Sequence, residues 1–150
     1  MRVLFSAIAA ALVMAFAASS GFAADKKEHR VSIQVDQNDP AVMNLALNNA
    51  NNIIEQYKSQ GETVQIELVT YGPGLHMLRS DTSPVQDRIK QTVDASFPSS
   101  VKFIACNNTK EGMEKREGKA VSLVSQAELV PSGAVRLIEL QEKGWAYLRP

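Results

Sequence analysis

The chain has 150 residues, 45% of them hydrophobic and 21% charged, and its 16 Lys+Arg are balanced by 16 Asp+Glu. That balance argues against nucleic acid or an anionic membrane surface as a partner, because neutralising phosphates requires a basic excess. Cys106 is the single cysteine, so no intramolecular disulfide can form and the fold must rest on its apolar core.

Arg2, the apolar run "VLFSAIAAALVMAFAA" and the small residues of "SSGFAAD" read as a signal peptide cleaved after Ala23. The run is short and Ala-rich for a membrane span. Residues 1–23 are thus predicted as the signal peptide and 24–150 as one folded domain, periplasmic or secreted, with no membrane attachment after cleavage. The mature chain would carry 15 Lys+Arg against 16 Asp+Glu.

"HRVSIQV" alternates Val31, Ile33 and Val35 with polar residues and predicts a strand, with His29 at its frayed and exposed start. Asp39 then caps a helix whose first position is Pro40. Met43, Ala46, Leu47, Ala50, Ile54 and Tyr57 form its inner stripe, and Gly61 closes it. The asparagines at 44, 48, 51 and 52 fall mostly on the other face, as solvated surface, an oligomer contact or a hydrogen-bonded inner surface. "TVQIELVTY" is a second strand running into "GPG", a tight turn that needs glycine torsions. It lacks the spacing and the lysine of a phosphate-binding loop.

Ser83 and Pro84 open a second helix with Val85, Ile89 and Val93 inward, and Pro98 ends it. "VKFIA" is the third strand, and the polar "NNTKEGMEKREGKA" after Cys106 is a short helix or a loop. "AELVPSG" gives a brief fourth strand and a turn, "AVRLIELQEKG" a last helix with Val135, Leu137 and Ile138 inward, and "WAYLR" a closing strand. Trp145 and Tyr147 read as core or interface anchors. Alternation of strands and helices at this spacing predicts βαβ units and a mostly parallel sheet.

In an open parallel sheet, ligands bind beyond the carboxyl ends of the strands. Cys106 falls at such an end, as do Asp36 and the Gly72-Pro73-Gly74 turn, so these loops can frame one crevice together with Asn107 and Lys110. A helix starting after Cys106 would favour a thiolate there, and Lys110 one turn on would act in the same direction. The residues alone leave several roles open for Cys106: packing, an intermolecular disulfide, a sulfenic acid sensor, or a nucleophile. His76, read as a loop residue at the same end, is either a structural hydrogen-bonder or a proton shuttle. Two distant histidines and one cysteine have no ligand spacing, so neither a metal nor another cofactor is expected. A Ser-His-Asp arrangement, a nucleophile elbow and paired acids are all missing, which argues against a conventional hydrolase.

"VDQNDPAVMNLALNNANN", "YGPGLHML", "FIACNNT" and "VPSGAVRLIELQEKGWAYLRP", in that order and spacing, resemble the DsrE/DsrF-like family of small sulfur-relay proteins, and most closely its exported single-domain members. The resemblance spans about residues 30–150. It implies a three-layer α/β/α domain with a five-stranded, mainly parallel sheet, assembled as trimers or hexamers. Cytoplasmic members carry a persulfide on a cysteine in the loop after a central strand, and Cys106 matches that position. A signal peptide would separate this chain from cytoplasmic relay partners. The expected function is therefore an exported sulfur carrier with sulfurtransferase-like activity through Cys106, its donor or acceptor being a protein or a small thiol. The alternative is a non-enzymatic small-ligand or partner-binding module in which Cys106 only packs.

Overall fold

The computed structural model describes residues 27–150, so the signal peptide predicted over 1–23 lies outside the described residues. Five strands, β1 (Glu28–Val35), β2 (Thr63–Thr70), β3 (Ser100–Cys106), β4 (Ala127–Val130) and β5 (Ala146–Leu148), form one sheet in the order β4-β3-β2-β1-β5. Every pairing is parallel. Helices α1 (Pro40–Ser59), α2 (Gln86–Ala95), α3 (Asn107–Glu117) and α4 (Gly133–Glu142) connect them, with a 3-10 helix at Gly72–Leu78. The fold is α/β, three layers deep.

Side-chain alternation explains the layers. Val31, Ile33 and Val35 of β1, Val64, Ile66 and Leu68 of β2, and Val101, Phe103 and Ala105 of β3 all enter one large core. Met43, Ala46, Leu47 and Ala50 of α1, Ile89 of α2, Met113 of α3 and the 3-10 residues Leu75, Met77 and Leu78 cover that face. Each side chain of this size, fully buried, contributes about 1.5–3 kcal/mol, so a domain without disulfides is well provided. The opposite face carries Val69, Ile104, Leu137 and Leu140, with Tyr71, Val130 and Trp145 packed against them, and α4 is the helix that covers it. Strands are added in one direction from β1 to β4, and the chain then returns to the far side of β1. With right-handed crossovers, that reversal puts α4 on the face opposite the other helices.

Three local expectations need correction. The "LHML" segment is not a loop: Pro73 starts a 3-10 helix whose Leu75, Met77 and Leu78 are buried. On α4, Leu137 and Leu140 face the sheet, while Val135 and Ile138 are 51% and 55% exposed. The reason is that Gly133 and Arg136 are both fixed toward the sheet, as described below, which sets the helix rotation that buries Leu137 and Leu140 and turns Val135 and Ile138 outward. His29 is not frayed: its ring stacks on Tyr57 with centroids 3.6 Å apart, and Nε2 lies 2.7 Å from Glu62 Oε2. The asparagine face of α1 is a bracket for α2, for the Arg88 guanidinium donates to the Asn44 and Asn48 side chains.

Candidate functional site

β3 and β4 are neighbours whose following helices leave toward opposite faces, α3 to the larger core and α4 to the smaller. This divergence makes a crevice at the carboxyl ends of the strands, the position at which doubly wound sheets bind ligands. Cys106 occupies it. As the last residue of β3 it is also the N-cap of α3, with extended torsions of φ −75° and ψ 115°. Its place in the strand alternation, alongside Ile104, aims the side chain at the α4 face.

The N-terminus of α4 closes on the sulfur from that side. Ser132 caps α4 by accepting from Val135 N–H, and Gly133 follows as the first helical residue. A Cβ at Gly133 would lie 3.0 Å from Tyr71 Cβ and 3.2 Å from Cys106 Cβ, so only glycine lets the two elements approach this closely. α4 is held in this register by a bidentate ion pair, Arg136 Nη2 and Nε donating to Glu67 Oε1 and Oε2 at 2.6 and 2.8 Å. Glu67 is 4% exposed, in the middle of β2. The far end of α3 is anchored in turn by Arg79, which is 2% exposed and clasps both Glu117 and Asp81. That contact holds both carboxyls below the usual carboxylate range and pushes the guanidinium further up.

Two helix N-termini therefore converge on one thiol that is only 4% exposed. Burial pushes the Cys106 thiol up, but the Thr109 hydroxyl and the backbone N–H groups of Gly133, Thr109 and Asn108, at the two helix starts, favour its ionised form and bring it below its ordinary value. The Thr109 oxygen also accepts from Gly72 N–H at 2.9 Å. Beside Cys106, at the end of β2, Tyr71 is pushed up by burial and by the Asp36 carboxylate, so its phenol keeps its proton.

Of the predicted site residues, Gly72 is tied to the first turn of α3 through Thr109, and Gly74 packs on the end of β1. Gly74 has no room for a side chain, since a Cβ there would stand 2.1 Å from Val35 O. This packing sets the 3-10 helix against the end of β1 and aims Gly72 N–H at Thr109. Asp36 lies on the rim and is engaged by Arg149 Nη2 at 3.0 Å and by Gln34 Nε2 at 2.9 Å. Lys110 does not face the thiol, for its ammonium is held by Glu114 at 2.6 Å. Asn107 likewise turns along its own helix to Glu111. His76 hydrogen-bonds Thr82 at 3.0 Å and lines a groove next to Thr109. Thr109 and Gly133 escaped the sequence reading. The available signals were a threonine three residues after the cap, where side chains reach back to the helix start, and a glycine in a first helical turn that ordinarily excludes it.

Among the described residues, no three His, Cys, Asp or Glu side chains cluster as a metal site, and no helix is long and apolar enough to cross a membrane. What the crevice offers is a thiol whose ionised form is favoured by neutral groups, which suits nucleophilic attack and equally suits departure of the same sulfur.

No protein-family model and no curated protein matches the chain. Among solved structures it is similar to the protein of unknown function MTH1491 from Methanobacterium thermoautotrophicum, with 29% sequence identity and a TM-score of 0.66. That similarity covers 81% of this chain and 99% of the other.

Proposed function

We propose that this protein is an exported sulfur carrier of the DsrE-like kind, which takes up a sulfane sulfur as a persulfide on Cys106 and hands it to an acceptor thiol. The observation that carries the reading is the meeting of the α3 and α4 N-termini at one thiol, where Gly133 lets α4 close on Cys106, at the switch point of the sheet. In uptake, the Cys106 thiolate attacks the outer sulfur of a donor persulfide R–S–SH. A bond forms to Sγ, the donor S–S bond breaks, and its electron pair leaves on RS⁻. In delivery, an acceptor thiolate attacks the outer sulfur held on Cys106, and the electron pair of the broken bond returns to Sγ. Both steps are redox-neutral exchanges. The groups that favour the ionised form make Cys106 a good leaving group in the second step. The exported location follows from the N-terminal segment, and a homo-oligomer, trimer or hexamer, fits the exposed Val135 and Ile138 of α4.

The low exposure of Cys106 favours a second reading, a binding module in which the thiol packs and the crevice holds a ligand or partner. Incubation of the reduced protein with a polysulfide donor, followed by intact mass, separates the two. The carrier reading expects a gain of one sulfur that dithiothreitol removes and that Cys106→Ala abolishes. An unchanged mass in the native protein overturns it in favour of the binding module.

A further inference from the structure

Gly112 stands in the interior of α3, where glycine costs stability relative to alanine. Packing does not ask for it. A Cβ there would meet nothing within 4 Å except Arg116 Nη1 at 3.5 Å, an ordinary contact with the far end of a flexible side chain. Gly74 and Gly133, by contrast, are pressed against backbone or side-chain atoms. What the missing side chain does is leave a notch, and the notch belongs to a groove of about 370 Å³ between α3 and the 3-10 helix. That size is at the small end of the range for ligand sites, about 300–1,000 Å³.

This groove is a place apart from the thiol. Cys106 does not line it and is aimed at the α4 face, whereas α3 and the 3-10 helix cover the larger core on the other side of the sheet. Pro73 and Met113 give the groove apolar walls, and Asn38, His76, Asn108 and Arg116 give it polar groups. Among the described residues, the side chains of Asn38, Asn108 and Arg116 make no hydrogen bond or ion pair. The acids on the helix of Arg116 are engaged elsewhere: Glu111 with Asn107, Glu114 with Lys110, and Glu117 with Arg79. His76 has Nδ1 occupied by Thr82, which leaves Nε2 open toward a ligand. A short apolar trough with one guanidinium, no carboxylate opposite it and several unused polar groups suits an organic monoanion.

We propose that this groove is a binding site, independent of Cys106, for a small organic carboxylate with an apolar body. The carboxylate pairs with the Arg116 guanidinium, whose planar fork matches it. The body lies over the Gly112 notch against Pro73 and Met113, and the Asn38 and Asn108 amides with His76 Nε2 orient it.

The test titrates benzoate and its neutral counterpart, benzyl alcohol, into the reduced protein and follows amide chemical shifts. Benzoate is expected to give saturable shifts at Gly72, Asn108, Gly112 and Met113. It should bind about five- to tenfold more tightly than benzyl alcohol, the size of one partly exposed charge-assisted contact. Arg116→Gln is expected to remove that difference, and Gly112→Leu to fill the notch and abolish the shifts. Leucine favours a helix over glycine, so the Gly112→Leu protein should unfold at a denaturant concentration no lower than the parent, which separates lost binding from lost folding. Absence of saturable benzoate shifts overturns the proposal. So do equal affinities for the two probes, or a Gly112→Leu protein that binds benzoate as the parent does. Sulfur uptake takes no part in this measurement, so its outcome stands whether or not Cys106 carries sulfur.

Discussion

At the scale of single residues, the chemistry at Cys106 depends on one hydroxyl and one missing side chain. Thr109 accepts from Gly72 N–H and its hydroxyl favours the ionised form of Cys106, so it ties the turn after β2 to the reactive group. Thr109→Val keeps the shape and removes the hydroxyl. It is expected to raise the Cys106 pKa, visible as slower alkylation at neutral pH, and to cost about 1–3 kcal/mol in stability because the Gly72 N–H loses its partner. A Thr109→Val protein that alkylates as fast as the parent would remove Thr109 from the account. The sequence disclosed the cysteine and its place at a strand end, because a run of β-formers ending at a polar segment is a local pattern. Asn108 and Thr109 follow Cys106 closely in the chain, but Gly133 lies far along it, and only the assembled sheet brings that glycine there. Lys110 misled for a related reason, since spacing along the helix placed it near the thiol while Glu114, four residues on in the same helix, holds its charge.

At the scale of elements, two guanidinium clusters hold the helices in position, Arg136 on Glu67 at the start of α4 and Arg79 on Glu117 at the far end of α3. Arg136→Met would leave Glu67 in the middle of the sheet without a partner. Its expected cost is about 3 kcal/mol by denaturant titration, the low end for a buried pair because Arg136 is partly exposed. Since α4 then loses its register, Cys106 alkylation at neutral pH should slow in parallel. A loss of stability with unchanged alkylation would separate α4 from the thiol. The Arg79 cluster makes a pH prediction. Asp81 and Glu117 are held below the usual carboxylate range by hydrogen bonds from Arg79. The unfolded chain therefore binds protons on these groups at higher pH than the fold does. The stability they contribute is complete above the ordinary carboxylate pKa and is lost as pH falls through the lowered values. Denaturation midpoints should decline from neutral to acid pH, and Arg79→Met should flatten that decline. Equal slopes in the two proteins would contradict the assignment. Neither cluster was legible beforehand, because charged residues alternating with apolar ones look alike whether they face water or a partner across the sheet.

At the scale of the whole molecule, the βαβ pattern gave the architecture because apolar periodicity changed cleanly between strand and helix, with Pro40 and Gly61 marking the ends of α1. The last helix was harder. "AVRLIELQEKG" has more apolar positions than one face can bury, and tertiary register decided between them. The outcome leaves Val135 and Ile138 in solvent on α4, beside Val130 and Pro131 in a shallow depression of about 310 Å³. Under the proposed homo-oligomer these residues are an interface. Sedimentation equilibrium at micromolar concentration should then find a trimer or hexamer, and Ile138→Glu should shift it toward monomer. A parent protein that is monomeric under those conditions would place the exposed pair outside any self-association.

The central claim is that two helix N-termini lower the pKa of Cys106 inside the fold, and the pH dependence of its alkylation tests this most directly. The rate should follow a single ionisation centred below the ordinary thiol value of about 8.5, in the folded protein and before any unfolding. An ionisation at or above that value, or alkylation only after denaturation, would contradict the claim and leave Cys106 as a packing residue.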